Sequence, residues 1–485
     1  MVIFLVSAHA AVDRIDCNME LKGQEAIAYI TMYLSSDVPA NYFSVEIPFQ
    51  SARLIRISDS IGEIKDYSIK DNVLSIKTNQ TAKRKSEFIT IEAIYSNLEK
   101  EEFLQARIFE FSLPAAEDTN VTFYAYGPIY GFDTLAAFRG SIKDGWLYLK
   151  GKGPLYVRFV SSNTGKRYGR FVVFDNNIFS EEYLKAIFDS VEQYYFFVIN
   201  FLGVEAEQEL FAIVILDDFD YERLVNDYSK GIYIYGGLIA VKKSALDKKS
   251  NAVPVIVHEL THFLNSKVFS WNTSKAVWLD EGLAKFVEFL TAKSIGLRTP
   301  NLFYGKQTYA EGRYEYTIMP VSDFNELVNY YEKGLDYMAE WNASDPKTRA
   351  FGYAFSELFV RDYIRKNGLS SLHLAMHKFV EERENVSDAK IFTSKVLGIL
   401  GAELAPCKDK NKEAMLNCVK ELNEFEPKVQ TAQVLKLGPR QEKITHDFDV
   451  SVLRANNMKF KIEELHTKFL QYIVKTLEIT KRLAE

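Results

Sequence analysis

The feature that most constrains this chain is a change in the period of its apolar residues near Asn177. Before that point, Phe43, Val45, Ile47 and Phe49 alternate with Ser44, Glu46 and Pro48. Short apolar runs follow at 54–57, 73–76, 88–94, 121–126, 146–149 and 155–160. A period of two places alternate side chains on one face of a strand. Turn residues such as Ser58-Asp59-Ser60, Asp71-Asn72 and Gly151-Lys152-Gly153 separate the runs. Many short strands at this spacing predict an antiparallel β-sandwich. After Ser180 the pattern changes: Leu184, Ile187, Phe188, Val191, Tyr195 and Val198 recur at helical spacing. Residues 210–216 then form a continuous apolar run closed by Asp217-Asp218, as expected of a strand buried on both faces. A second strand is expected at 232–241, interrupted by Gly236-Gly237, and from Ser250 to about Leu400 the chain reads as mostly helical. Helix, strands and then helices predict an α+β domain.

At 485 residues the chain is long for one domain. The expected organisation is multidomain α+β: a β-sandwich over 11–175, a catalytic α+β domain over 176–400 and a helical C-terminal tail over 401–485. Residues 1–10 (MVIFLVSAHA) read either as a truncated export signal ending in Ala8-His9-Ala10 or as a first strand. Five Asn-x-Ser/Thr triplets, at Asn79, Asn120, Asn272, Asn342 and Asn385, are compatible with an exported, extracellular or cell-surface protein. Of three cysteines, Cys407 and Cys418 are placed to close a small loop and Cys17 stands alone. The net charge of -6, with no basic stripe, argues against a nucleic-acid partner. Lys83-Arg84-Lys85 reads as a solvated loop, and no apolar run has the length of a membrane-spanning helix. In the tail, Ile462, Leu465, Phe469, Tyr472, Thr476, Ile479 and Leu483 follow heptad spacing. That suits a terminal helix packed on its own domain, or a coiled-coil contact that would make a homodimer.

The chemistry lies in one segment, Pro254 to Leu264, which contains His258-Glu259-Leu260-Thr261-His262. Pro254 suits the first turn of a helix, with Ser250 or Asn251 as its cap. Histidines four apart share a helix face, where two neutral imidazoles can bind one zinc ion. The flanking residues Val255, Ile256, Val257, Leu260, Phe263 and Leu264 are apolar, so the helix is buried. Burial of imidazoles and a carboxylate is costly unless they are paired or ligate a metal. Glu259, next to the first histidine, can reach a catalytic water without becoming a ligand. A catalytic zinc takes three protein ligands and keeps one position open. Glu281 supplies the third ligand: eighteen residues, 263–280, separate it from His262, enough for a loop and a returning helix. Glu288 shares a face with Glu281 and reads either as a carboxylate holding a ligand imidazole from behind or as a solvent-facing one.

These residues, with Glu281 inside Trp278-Leu279-Asp280-Glu281-Gly282-Leu283-Ala284, resemble the gluzincin metallopeptidases of the aminopeptidase N and leukotriene hydrolase kind, whose second motif reads close to W-x-N-E-G-F-A. The resemblance covers roughly Ser180 to Leu400. It implies a thermolysin-like catalytic domain, one zinc ion on His258, His262 and Glu281, and a peptide or protein substrate. It also implies a tyrosine on a later helix that stabilises the oxyanion; Tyr353 stands at about the expected distance, with Tyr363 and Tyr316 in reserve. The expected reaction is hydrolysis by a metal-activated water with Glu259 as general base. Two departures stand out. The aminopeptidases carry a Gly-x-Met-Glu-Asn strand whose Glu grips the substrate amine, and the matching strand here reads Gly236-Gly237-Leu238-Ile239-Ala240, without a Glu. That strand can still hold an extended peptide through its main chain, so endopeptidase activity gains weight. Asp280 stands where the family has Asn. A non-catalytic peptide-binding protein and a zinc hydrolase of a non-peptide substrate are the alternative readings. His373 and His377 are also four apart but lack a Glu after the first and a spaced partner, so they read as solvent-facing or satisfied histidines.

Overall fold

The computed structural model describes residues 10–445 with short interruptions, of which 298–307 and 316–330 are the longest. The residues before 10, the heptad segment 446–485, Gly236 and Tyr316 lie outside the described residues.

The N-terminal part is built on a seven-stranded sheet. In spatial order its strands are Phe138–Lys143, Trp146–Lys152, Asn120–Tyr126, Ala10–Lys22, Glu25–Ser36, Glu87–Tyr95 and Ala52–Asp59. A four-stranded sheet (Ile129–Thr134, Leu155–Ser161, Ala106–Leu113, Glu99–Phe103) and a three-stranded sheet (Ala40–Glu46, Val73–Ala82, Tyr67–Lys70) complete it. One core joins all three: Ile15, Cys17, Met19, Ile30 and Phe123 of the large sheet pack with Phe109, Phe111, Val157 and Phe159 of the second and Phe43, Leu74 and Ile76 of the third. Alternation decides which residues point inward, as along Asn120–Tyr126, where Val121, Phe123 and Ala125 are buried. The sandwich is not wholly antiparallel. Ala10–Lys22 lies between Glu25–Ser36 and Asn120–Tyr126 and runs parallel to the latter, with Asn18 opposite Tyr124. A hairpin can supply only the antiparallel neighbour; the parallel one arrives a hundred residues later by a long connection.

The second part holds a mixed five-stranded sheet in the order Lys166–Tyr168, Phe171–Phe174, Phe211–Leu216, Leu238–Lys242, Gly231–Ile234. The expected boundary at 175 is therefore too late, since the two strands over 166–174 pair into this sheet. Helix Glu181–Leu202 makes the crossover between parallel strands Phe171–Phe174 and Phe211–Leu216. Ser180 Oγ accepts from Tyr183 N–H to cap its start, and Gly203 ends it in the left-handed region at φ 66°. Its buried stripe is the one read from the sequence, Leu184, Ile187, Phe188, Val191, Tyr195 and Val198 among it. Strand Phe211–Leu216 is buried throughout. Phe211, Ile213 and Ile215 face the helices, whereas Ala212, Val214 and Leu216 face Ala106, Ile108 and Val160 of the four-stranded sheet.

The run 232–241 is a hairpin rather than one strand: Gly231–Ile234 is antiparallel to Leu238–Lys242, with Tyr233 opposite Ile239. Gly237 is in the left-handed region, φ 82°, where the chain reverses. Helices Lys249–Phe269, Val277–Ser294, Arg349–Asn367, Leu369–Glu381 and Ala389–Leu400 follow. The first begins upstream of the expected start, so Pro254 lies inside it and neither Ser250 nor Asn251 is its cap. Asn251 and Ala252 N–H both bond Lys248 C=O, closing the turn earlier. Proline at 254 lies past that first turn and lacks the amide that would bond Ser250 C=O in the helical ladder. The expected helical tail is mixed: helix Lys412–Glu424 is followed by a hairpin of Gln433–Leu437 and Gln441–Thr445. Cys407 and Cys418 are bonded, and Cys17 is buried as a free thiol. Among the described residues no helix is long and apolar enough to cross a membrane.

Candidate metal centre

The helix Lys249–Phe269 runs behind the sheet with Val257, Leu260, Phe263 and Leu264 in the core. His258 and His262 lie on one side of it, one turn apart, and their Nε2 atoms approach to 3.0 Å. The helix Val277–Ser294 packs against it and brings Glu281 Oε2 to 3.4 Å from both Nε2 atoms. All three side chains are largely buried.

Behind each imidazole stands a carboxylate. Glu288 Oε2 is 3.0 Å from His258 Nδ1, and Asp280 Oδ2 is 2.9 Å from His262 Nδ1. A carboxylate at Nδ1 keeps the proton on that nitrogen and leaves Nε2 with its lone pair toward the centre. Asn265 Nδ2 donates to Asp280 Oδ1 at 2.7 Å and holds that carboxylate in turn. Glu288 thus lies against the His258 imidazole rather than facing solvent alone. Asp280, a position whose effect the sequence left open, does the same for the other imidazole. Lys285 Nζ, 2.7 Å from Glu288 Oε2, is a further member that the sequence reading missed. An i,i+3 Lys–Glu pair is too common on helix surfaces to serve as a signal.

Glycine permits two close approaches. A Cβ on Gly282 would lie 2.5 Å from Ser356 C=O, so the Glu281 helix and the helix Arg349–Asn367 cross in backbone contact there. That crossing brings Tyr353 Oη to donate to Glu281 Oε1 at 3.2 Å. A Cβ on Gly231 would lie 3.0 Å from Glu259 Cγ, so Gly231–Ile234 closes onto the Glu259 side chain. Tyr363, one of the reserves, is buried and stacks on Phe359, away from this cluster.

The expected substrate strand needs correction. Leu238, Ile239 and Ala240 are buried, and their strand is paired on both sides, with Phe211–Leu216 and with Gly231–Ile234. Its backbone has no open edge for a peptide. On this side, the outermost strand among the described residues is Gly231–Ile234. Lys242 N–H bonds Lys230 C=O, so the alternation of an antiparallel ladder turns the backbone of Gly231 and Tyr233 outward. That edge adjoins Glu259, which also takes a backbone hydrogen bond from Tyr233. No carboxylate occurs in its sequence, Gly231-Ile232-Tyr233-Ile234.

Charge follows from this geometry. In the metal-free protein, burial disfavours the charged His262 imidazole, but Asp280 and Glu281 outweigh it and raise its pKa well above the ordinary value. Burial likewise opposes charge on His258, and Glu281 and Glu288 raise it. Burial pushes the Glu281 carboxyl up, yet the two imidazoles hold it far below the usual carboxylate range. For Glu259 burial prevails over the nearby imidazoles, and its pKa is raised. The Tyr353 phenol is raised well above 10.0 by burial, then by the Glu281 and Glu259 charges.

The residues fit a zinc ion. Nitrogen and oxygen ligands about 2.0–2.1 Å from a tetrahedral zinc stand roughly 3.3 Å from one another, close to the 3.0 and 3.4 Å seen here. Glu281 Oε2 is buried and receives no hydrogen bond in the described structure. The other spaced pair is different: His373 Nε2 bonds Phe201 C=O at 2.9 Å and His377 is exposed.

No family model matches the chain, and no curated protein matches it. Among solved structures, the chain is similar to an M1 zinc metallopeptidase from Deinococcus radiodurans, at 11% identity over 85% of this chain and 93% of that one, with a TM-score of 0.32. It is similar too to a point mutant of such an enzyme from the same organism, bound to a Tyr-Ser-Ala substrate, at 12% identity over 86% and 95% of the two chains, with a TM-score of 0.33. The likeness is weak at that score, and the chemistry of the site rests on its own geometry.

Proposed function

We propose that the protein is a zinc-dependent peptidase that binds an extended peptide along Gly231–Ile234 and hydrolyses it beside Glu259. The observation that carries the reading is the convergence of His258 Nε2, His262 Nε2 and Glu281 Oε2 within 3.4 Å of one another. His258, His262 and Glu281 would hold the ion. Bound zinc supplies Lewis acidity, which polarises a carbonyl and lowers the pKa of water. Glu259 takes the proton of the attacking water and passes it to the leaving nitrogen. Tyr353 Oη donates to the carbonyl oxygen as negative charge builds on it. Asp280 and Glu288 keep the imidazoles oriented with Nε2 inward.

The strand Gly231–Ile234 carries no carboxylate of its own, and its Tyr233 N–H is held by Glu259. Recognition then runs through the peptide backbone rather than through a free amine, which favours endopeptidase activity. The Cys407–Cys418 disulfide supports an oxidising, extracellular setting.

The test is Glu259→Gln. The variant should keep one zinc per chain and lose peptide cleavage by at least about a hundredfold, the scale of a general base. Quenched-fluorescent peptides with blocked and free N-termini should be cleaved alike by the wild type. Wild-type rates from Glu259→Gln would refute the role of Glu259. Absence of zinc would favour a peptide-binding protein, and zinc without cleavage of any peptide a hydrolase of another substrate.

A further inference from the structure

The zinc chemistry leaves one charged residue of the site unused. Lys285 stands one turn after Glu281 and just before Glu288, at the crossing of the Glu281 and Tyr353 helices. Its Nζ is 2.7 Å from Glu288 Oε2, the same oxygen that lies 3.0 Å from His258 Nδ1. On its other side Nζ faces the Tyr353 ring, 5.4 Å from the centroid, within reach of a cation–π contact. Tyr353 is held from a further direction by the Trp341 ring, edge-to-face at 5.4 Å.

A Lys–Glu pair three apart is ordinary on a helix surface. Here the carboxylate oxygen is shared with a ligand imidazole and the ammonium faces the ring of the oxyanion tyrosine. An oxygen 2.7 Å from an ammonium and 3.0 Å from an imidazole nitrogen is drawn from two sides and has little freedom to turn. Without the ammonium, Glu288 would be a buried-side carboxylate held by one partner and able to rotate away from Nδ1.

We propose that Lys285 is a positioning residue: it clamps Glu288 against His258 and holds the Tyr353 ring, tying a metal ligand and the oxyanion donor into one unit. The inference rests on the zinc-peptidase reading and adds to it a residue that touches neither metal nor substrate.

The experiment titrates the full-length, metal-stripped chain with zinc against a chromophoric chelator. It compares wild type with Lys285→Met, Lys285→Arg, Glu288→Gln and the double variant Lys285→Met/Glu288→Gln. Loss of a group supporting a ligand from behind typically costs about 10–100-fold in metal affinity. Lys285→Met should weaken zinc binding about tenfold and shift the visible spectrum of the cobalt-loaded protein, while Lys285→Arg recovers both. Since Lys285 acts through Glu288, adding Lys285→Met to Glu288→Gln should weaken binding no further. On peptide substrate, Lys285→Met should lower kcat more than KM rises, and by less in a Tyr353→Phe background. If Lys285→Met does not fold, Lys285→Gln serves the same comparisons. Wild-type zinc affinity in Lys285→Met, or additive losses with Glu288→Gln, overturns the clamp on His258. An equal kcat loss with and without the Tyr353 hydroxyl overturns the link to Tyr353. If the wild type itself takes up no zinc, the zinc reading falls and this inference with it.

Discussion

At the scale of single residues, the centre is a contest between burial and neighbouring charge. His258 and His262 are buried, which should expel a proton, but three carboxylates hold one on. The pH dependence follows from the directions. A histidine whose folded pKa is raised contributes stability that is fully present below the unfolded value near 6.5 and is lost as pH rises through the folded value. The lowered carboxyls of Glu281 and Glu288 contribute stability present above their unfolded value of 4.5 and lost as pH falls through the folded ones. The metal-free protein should therefore be most stable between these limits and weaken at alkaline pH. Zinc needs Nε2 unprotonated, so its binding should strengthen as the same protons leave. Thermal unfolding with chelator and with zinc, measured from pH 5 to about pH 9, should give a stabilisation by zinc that grows with pH. A zinc effect independent of pH would count against these imidazoles as ligands.

At the scale of elements, two contacts set the geometry of the centre. The Glu281 and Tyr353 helices cross at Gly282 and Ser356, and the edge strand meets the His258 helix at Gly231 and Glu259. In an exposed helix, Gly→Ala stabilises by about 1 kcal/mol. Gly282→Ala should reverse that sign, because its Cβ would meet the Ser356 backbone, at 2.5 Å to oxygen and 2.8 Å to carbon. A cost of about 1–3 kcal/mol, as for overpacking, is expected in the urea midpoint, with a fall in kcat as Tyr353 shifts. A stabilised variant would show that the helices do not cross this closely. The convergence of His258, His262 and Glu281 was legible because helical spacing and an eighteen-residue return constrain it. The task of Asp280 was not, since its reach to His262 depends on the angle between two helices. The edge strand was misplaced for a related reason: over 232–241 apolar period alone does not reveal which arm of a hairpin lies outermost.

At the scale of the whole molecule, the β-rich part is more than an attachment. The five-stranded sheet buries one face under its helices and the other against the four-stranded sheet, where Ala106, Ile108 and Val160 meet Val172, Phe174, Val214 and Leu216. Lys267, on the His258 helix, donates to Phe132 C=O at 3.0 Å and ties that helix to the same partner. A chain beginning at residue 162 would expose that sheet face. It should bind a hydrophobic dye, lack a cooperative thermal transition and take up no zinc. A truncated chain that melted cooperatively and bound zinc as the whole chain does would mean the two parts are independent. The continuous apolar run over 210–216 already announced burial on two sides. What would cover the second side was not readable, because the covering strands come from a different part of the chain.

The sequence by itself determined the period of each segment, the helix carrying His258 and His262, and the spacing that makes Glu281 their partner. These depend on steps of two, three or four residues and on loop length, which are local. Tertiary structure alone decided that Ala10–Lys22 runs parallel to Asn120–Tyr126, that Gly231–Ile234 is an outermost strand of its sheet among the described residues, and that Asp280, Glu288, Lys285 and Tyr353 gather around His258, His262 and Glu281. Those are relations between elements far apart in the chain, set by how close two backbones come, and glycine at 231 and 282 is what lets them come that close.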